Sequence, residues 1–214
     1  SPLAVAAVVV AALSSASFRM VGPIYGQEVG LSAGQIAWFL SAFVLGGALA
    51  QFPIGWLADK FDRRWVLIWL SAASMVSCAV TVMSAGMGTQ AVFFAATFFG
   101  LTTFPIYSVA AAHAHDFATS EERVELSAAL MFWFAVGAIF APYLASVLID
   151  SYGPAALFTM ISVGHGVLVI FGLTRMRARP TARKRTPYVY APRTSFTIGR
   201  LMRRQRDGSS NNAP

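Results

Sequence analysis

Between positions 55 and 67 the chain reads Gly55-Trp56-Leu57-Ala58-Asp59-Lys60-Phe61-Asp62-Arg63-Arg64-Trp65-Val66-Leu67, a knot of charge closed in on both sides by long apolar runs. Upstream, residues 35–58 contain no charged side chain, and downstream neither do residues 65–84. Crossing a hydrocarbon core of ~30 Å takes about 20 helical residues at ~1.5 Å apiece, and each run is long enough. The charges therefore mark a turn between two membrane-spanning helices.

Further out the same pattern repeats over residues 3–25, 90–112, 124–149 and 154–174. The last of these opens on Pro154, a residue suited to a helix's first turn. Apolar residues surround each segment rather than forming one stripe, which suits helices in lipid; 214 residues are too few to bury six such helices in a water-soluble core. Composition agrees, with 57% apolar residues, 12% charged and a mean hydropathy of +0.62. A barrel is excluded because its strands alternate polar and apolar residues, and these runs do not.

Charge placement orients the chain. Lys60, Arg63 and Arg64 lie between the second and third runs, Arg123 lies between the fourth and fifth, and the remaining basic residues outside the first run follow the sixth. Connections at 27–34, 85–89 and 150–153 hold neither Lys nor Arg. The basic connections face the cytoplasm by the positive-inside rule, so both termini are expected there. The net charge of +7 follows from the same rule and does not indicate nucleic-acid binding. The chain opens Ser1-Pro2 without a basic leader, so the first run is expected to be a span rather than a signal peptide, and the missing initiator Met suggests a fragment or processed chain. Cys78, the single cysteine, excludes an intrachain disulfide or cysteine metal site.

From residue 176 to 214 the composition shifts to Arg, Pro, Ser and Thr, too polar to bury a core. A six-helix bundle over 1–175 followed by a basic, largely disordered cytoplasmic tail is the expected organisation. The aromatic and basic residues of 186–196 suit an anionic lipid surface.

The 55–67 segment closely resembles the G-x-L-A-D-[RK]-x-G-[RK]-[RK]-x-x-L signature of the major facilitator superfamily. Gly55, Leu57, Ala58, Asp59, Lys60, Arg63, Arg64 and Leu67 match at the right spacing, and Asp62 stands where the pattern has its second Gly. Residues 104–110 and 112–116 are similar to the C-terminal half of a bacterial branch of that family, and Gly137 to Pro142 loosely resembles its proton-coupled exporters, with Ala141 in place of a Gly. The resemblance implies an all-α membrane protein of the bacterial inner membrane, with six transmembrane helices forming half of a major-facilitator-type bundle. It also implies that Gly55, Asp59, Lys60, Arg63 and Arg64 form a gating loop. In this latch Asp59 pairs with Arg and faces the positive end of a helix in a second six-helix half, outside this chain.

Within the spans, Arg19 is the only Lys or Arg. An isolated guanidinium there is costly unless it faces protein or water, which makes Arg19 the leading candidate for a solute pathway, taking an anionic substrate or a carboxylate of the absent half. Tyr25, with Pro23, is expected to share its neighbourhood, and Gln51 and Tyr107 are further polar candidates. His113, His115 and Asp116 invite a proton relay, although a spacing of two turns the imidazoles to different helix faces and disfavours a shared metal. Glu121, Glu122 and Glu125 suit the start of the fifth helix. Pro23, Pro53, Pro105 and Pro142 are expected to bend their helices, and Gly46 with Ala50 and Gly137 with Ala141 to allow close helix packing.

No hydrolase elbow, phosphate loop or zinc-helix motif occurs, so neither an enzyme nor a cofactor is expected. The reading is a half or fragment of a secondary active transporter that moves a small solute by alternating access, coupled to an ion. The lipid bilayer, the solute and a second half, covalent or dimeric, would be its partners. A non-transporting membrane scaffold or receptor that recruits a partner through its tail is the alternative.

Overall fold

In a computed structural model, which describes residues 1–178, the chain forms α1 (Pro2–Glu28), α2 (Ala33–Lys60), α3 (Arg63–Met83), α4 (Thr89–Thr103), α5 (Pro105–His115), α6 (Arg123–Tyr152) and α7 (Ala156–Ala178). α4 and α5 are two arms of one span, so six spans are long and apolar enough to cross a membrane. The interruption falls at Phe104, where Pro105 lacks the N–H needed to continue the ladder. Pro23, Pro53 and Pro142 lie inside continuous helices. Pro154 sits in the turn before α7, after Gly153 ends α6 with a φ of +84° that a side chain would strain. Beyond α7, the tail anticipated from residue 176 lies outside the described residues.

Local chemistry sets the helix ends. Ser32 and Gln35 cap α2 reciprocally, with the Ser32 N–H donating to Gln35 Oε1 at 2.8 Å and the Gln35 N–H to Ser32 Oγ at 3.4 Å. The Gln35 amide also reaches Thr89 Oγ1 at 3.3 Å, which joins the starts of α2 and α4. Asp62 caps α3 by accepting from the Arg64 N–H at 3.0 Å, with an extended backbone (φ −63°, ψ 118°). The departure from the family pattern at this position thus supplies a helix cap and needs no glycine. Between α5 and α6, Glu122 accepts from the N–H and O–H of Thr119, which hold its carboxyl below the ordinary pKa.

Lipid offers no hydrophobic drive for helices to associate, so close packing has to hold them together. α2 lies on α4, α1 on α6 and α3 on α7, and α1 also meets α2, α4, α5 and α7. A Cβ on Gly46 would stand 2.0 Å from the Thr97 carbonyl oxygen, and one on Gly100 would stand 2.0 Å from that of Phe43, so α2 and α4 touch backbone to backbone. Gly137 gives α6 the same approach to Ala12 of α1. Two interior clusters result. One is aromatic, around Phe18, Tyr25, Phe39, Phe43, Phe99 and Phe158; the other is built from the small residues of early α1 against Ile106, Val109, Leu130 and Leu168.

Candidate functional site

Ala11, Ser15 and Arg19 recur every four residues along α1 and therefore share one face. They form a wall of a cavity of about 490 Å³, completed by Gln51 of α2, Thr103, Phe104, Tyr107 and Ser108 around the α4/α5 break, and Met131, Phe134 and Ala135 of α6. Three of the four residues singled out for a solute pathway, Arg19, Gln51 and Tyr107, meet there.

The site is assembled from the glycine outward. Gly47 lacks a Cβ that would stand 2.4 Å from Phe104 Cγ, so the Phe104 ring lies against α2. Its face then supports the Arg19 guanidinium, 5.4 Å from the ring centroid, as a cation–π contact. Among the described residues no carboxylate pairs with Arg19. Tyr107 packs edge-on to Phe134 at 5.4 Å, and Gln51 Oε1 accepts from Ser108 Oγ at 3.2 Å.

Tyr25 is not in this cavity. Six residues on from Arg19, it falls on another face of α1, buried between Phe39 and Phe158, and its hydroxyl donates to the Thr81 carbonyl at 2.8 Å. The expected neighbourhood with Arg19 is corrected by helical phase.

At the other end of α2, Arg63 is a clasp. Its Nη2 donates to Asp59 Oδ1 at 2.9 Å, and its Nη1 donates to the Ala112 carbonyl at 3.0 Å and to Asp116. α2, α3 and α5 are thereby joined inside this bundle, while Asp59 keeps a side chain 44% exposed. Arg64 pairs with Asp62 at 2.9 Å, and Lys60 Nζ lies 4.9 Å from the Trp56 ring centroid. Gly55 faces open space: nothing lies within 4 Å of where its Cβ would stand.

The histidines do not form a relay with Asp116. His113 is buried with Nε2 3.2 Å from Ser1 Oγ, His115 turns to Ser127 Oγ of α6 at 3.2 Å, and among the described residues no hydrogen bond or ion pair links either to Asp116. Their separation follows the two-residue spacing. No three His, Cys, Asp or Glu side chains among the described residues converge as a metal site would require.

Phe104, Gly47 and Phe134 escaped the sequence reading as site residues, although the Gly46-Gly47 pair and the Phe104-Pro105 step are visible signals. His165 escaped it too. Fully buried between glycines 164 and 166, it places Nε2 2.9 Å from Ser14 Oγ. Because that hydroxyl donates to the Val10 carbonyl at 2.9 Å, the imidazole N–H belongs on Nε2, and Nδ1 is left as an acceptor without a partner.

Known proteins place this arrangement. Residues 4–206 match the family model of the Major Facilitator Superfamily. An MFS-type transporter of Yersinia enterocolitica, YE1530, is 29% identical over 167 residues, covering 78% of this chain and 41% of the relative. An MFS-type transporter of Salmonella paratyphi B, YcaD, is 33% identical over 142 residues, covering 65% of this chain and 35% of the relative. The chain thus spans well under half the length of these curated relatives. The fold is similar to that of the POT family transporter PepTSo, with a TM-score of 0.69 at 18% identity, over 91% of this chain and 39% of the other. With six apolar spans, the signature turn after the second of them and a family match over nearly its whole length, this chain belongs to the Major Facilitator Superfamily.

Proposed function

We propose that the chain is one six-helix half of a secondary active transporter, and that the Arg19 cavity is its share of the path of a small solute. The carrying observation is the convergence of Arg19, Gln51 and Tyr107, from three different helices, on one cavity. Transport proceeds by alternating access, driven by an ion gradient, in a bacterial inner membrane with both termini cytoplasmic. The basic turns and the bacterial relatives support that placement.

A second six-helix half seats on the face formed by α2 and α6. Only 17% of the apolar stretch of α6 and 28% of that of α2 is buried, against 50% for α1 and α3, and both exposed helices flank the cavity. Gly55 lies on α2 with no use for its missing side chain inside this half, and a second bundle in close approach would use it. Asp59, still partly exposed, completes the latch with that bundle.

Flux into proteoliposomes containing the full-length protein tests this reading. Gradient-dependent uptake of at least one solute from a broad panel is expected; no movement of any solute under proton or sodium gradients contradicts it.

A further inference from the structure

The cavity's formal charge is one-sided, and from it we infer the class of solute: a small organic anion bearing one carboxylate on an apolar, preferably aromatic, body. This inference rests on the cavity being the solute site. Three hydroxyl protons of the wall are already committed. Ser15 Oγ donates to the Ala11 carbonyl at 2.8 Å, Thr103 Oγ1 to the Phe99 carbonyl at 2.8 Å, and Ser108 Oγ to Gln51 Oε1. The free donors are the Arg19 guanidinium, the Gln51 amide NH2 and the Tyr107 hydroxyl, which has no partner among the described residues; the hydroxyl oxygens still accept, but Arg19 carries the one formal charge among the described lining residues.

A guanidinium with no carboxylate partner among the described residues calls for an anion. A carboxylate is acceptor-only, and its two oxygens suit the planar fork of a guanidinium. One cation and no lining carboxylate among the described residues set the complementary charge at a single negative unit. An ammonium solute would be repelled by Arg19 and would meet no carboxylate among the described lining residues to offset that repulsion. The rest of the wall is Phe104, Phe134, Met131 and alanines, which fits an apolar body that needs no further hydrogen bonds. An anion seated there also offsets the cost of holding an unpaired guanidinium inside a span.

Calorimetric titration of the purified full-length protein with phenylacetate, phenylacetamide and phenethylamine tests the class. Phenylacetate is expected to bind at least about tenfold more tightly than either other compound, the factor one charge-assisted hydrogen bond provides. Arg19→Gln should abolish that preference, Arg19→Lys should retain part of it, and Tyr107→Phe should weaken binding about threefold, as loss of one neutral hydrogen bond does. Unchanged melting temperatures would show that these variants fold. Equal binding of the three compounds, no binding of phenylacetate, or an Arg19→Gln protein with undiminished affinity overturns the inference. Flux separates the two claims: gradient-driven uptake of a neutral or cationic solute leaves the transporter reading standing and removes only the anion.

Discussion

Phe18 and Arg19 are neighbours in sequence and opposites in setting. Phe18 is fully buried, its ring 4.4 Å from that of Phe43, 4.9 Å from Phe39 and 5.2 Å from Phe99, within the aromatic cluster. Arg19 projects into an open cavity with, among the described residues, the Phe104 ring for support. One helix therefore carries a closed face, running through Ser14, Phe18 and Tyr25, and an open face, running through Ala11, Ser15 and Arg19. Packing is held on the first, and the proposed solute chemistry belongs to the second, with a rotation of one residue between them.

That division makes stability and function separable. Phe18→Ala should have the largest effect on folding, about 3 kcal/mol in a reversible detergent-unfolding titration, because four ring contacts vanish and a cavity replaces them. Next is Gly100→Ala on the neighbouring seam, at about 2 kcal/mol, since the new methyl meets the Phe43 carbonyl and backbone cannot step aside. Tyr25→Phe, which removes only the bond to Thr81, should cost about 1 kcal/mol in the same titration and leave solute binding unaltered. Arg19→Gln should not destabilise the fold, because it removes an unpaired guanidinium from a span and forfeits one cation–π contact, while eliminating uptake in the flux assay. A loss of stability at Arg19 matching that at Phe18 would erase the distinction between the faces.

The spans were legible because length against hydrocarbon thickness is a one-dimensional property, and six runs met it. Which proline interrupts its helix was not: four were expected to bend theirs, yet only Pro105 breaks one, while Pro23, Pro53 and Pro142 lie inside continuous helices. Direction around each helix was not legible. A helix that is apolar on every side has no stripe to give its phase, so nothing local revealed that Tyr25 turns inward while Arg19 turns to the cavity. Phe104 becomes a site residue only through Gly47 on another helix, a relation that no single segment contains. His165 shows the same limit. Its partner Ser14 lies 151 residues away, and two flanking glycines were the only mark of its close packing.

The two faces are tested most directly by thiol labelling at adjacent positions. In a full-length protein with Cys78→Ala, Ser14→Cys and Ser15→Cys would be exposed in membranes to a small charged methanethiosulfonate. Ser15 lines the cavity and Ser14 is fully buried, so rapid modification at position 15 and protection at position 14 are expected. Equal rates, or faster reaction at position 14, would contradict the separation of an open solute face from a closed structural one.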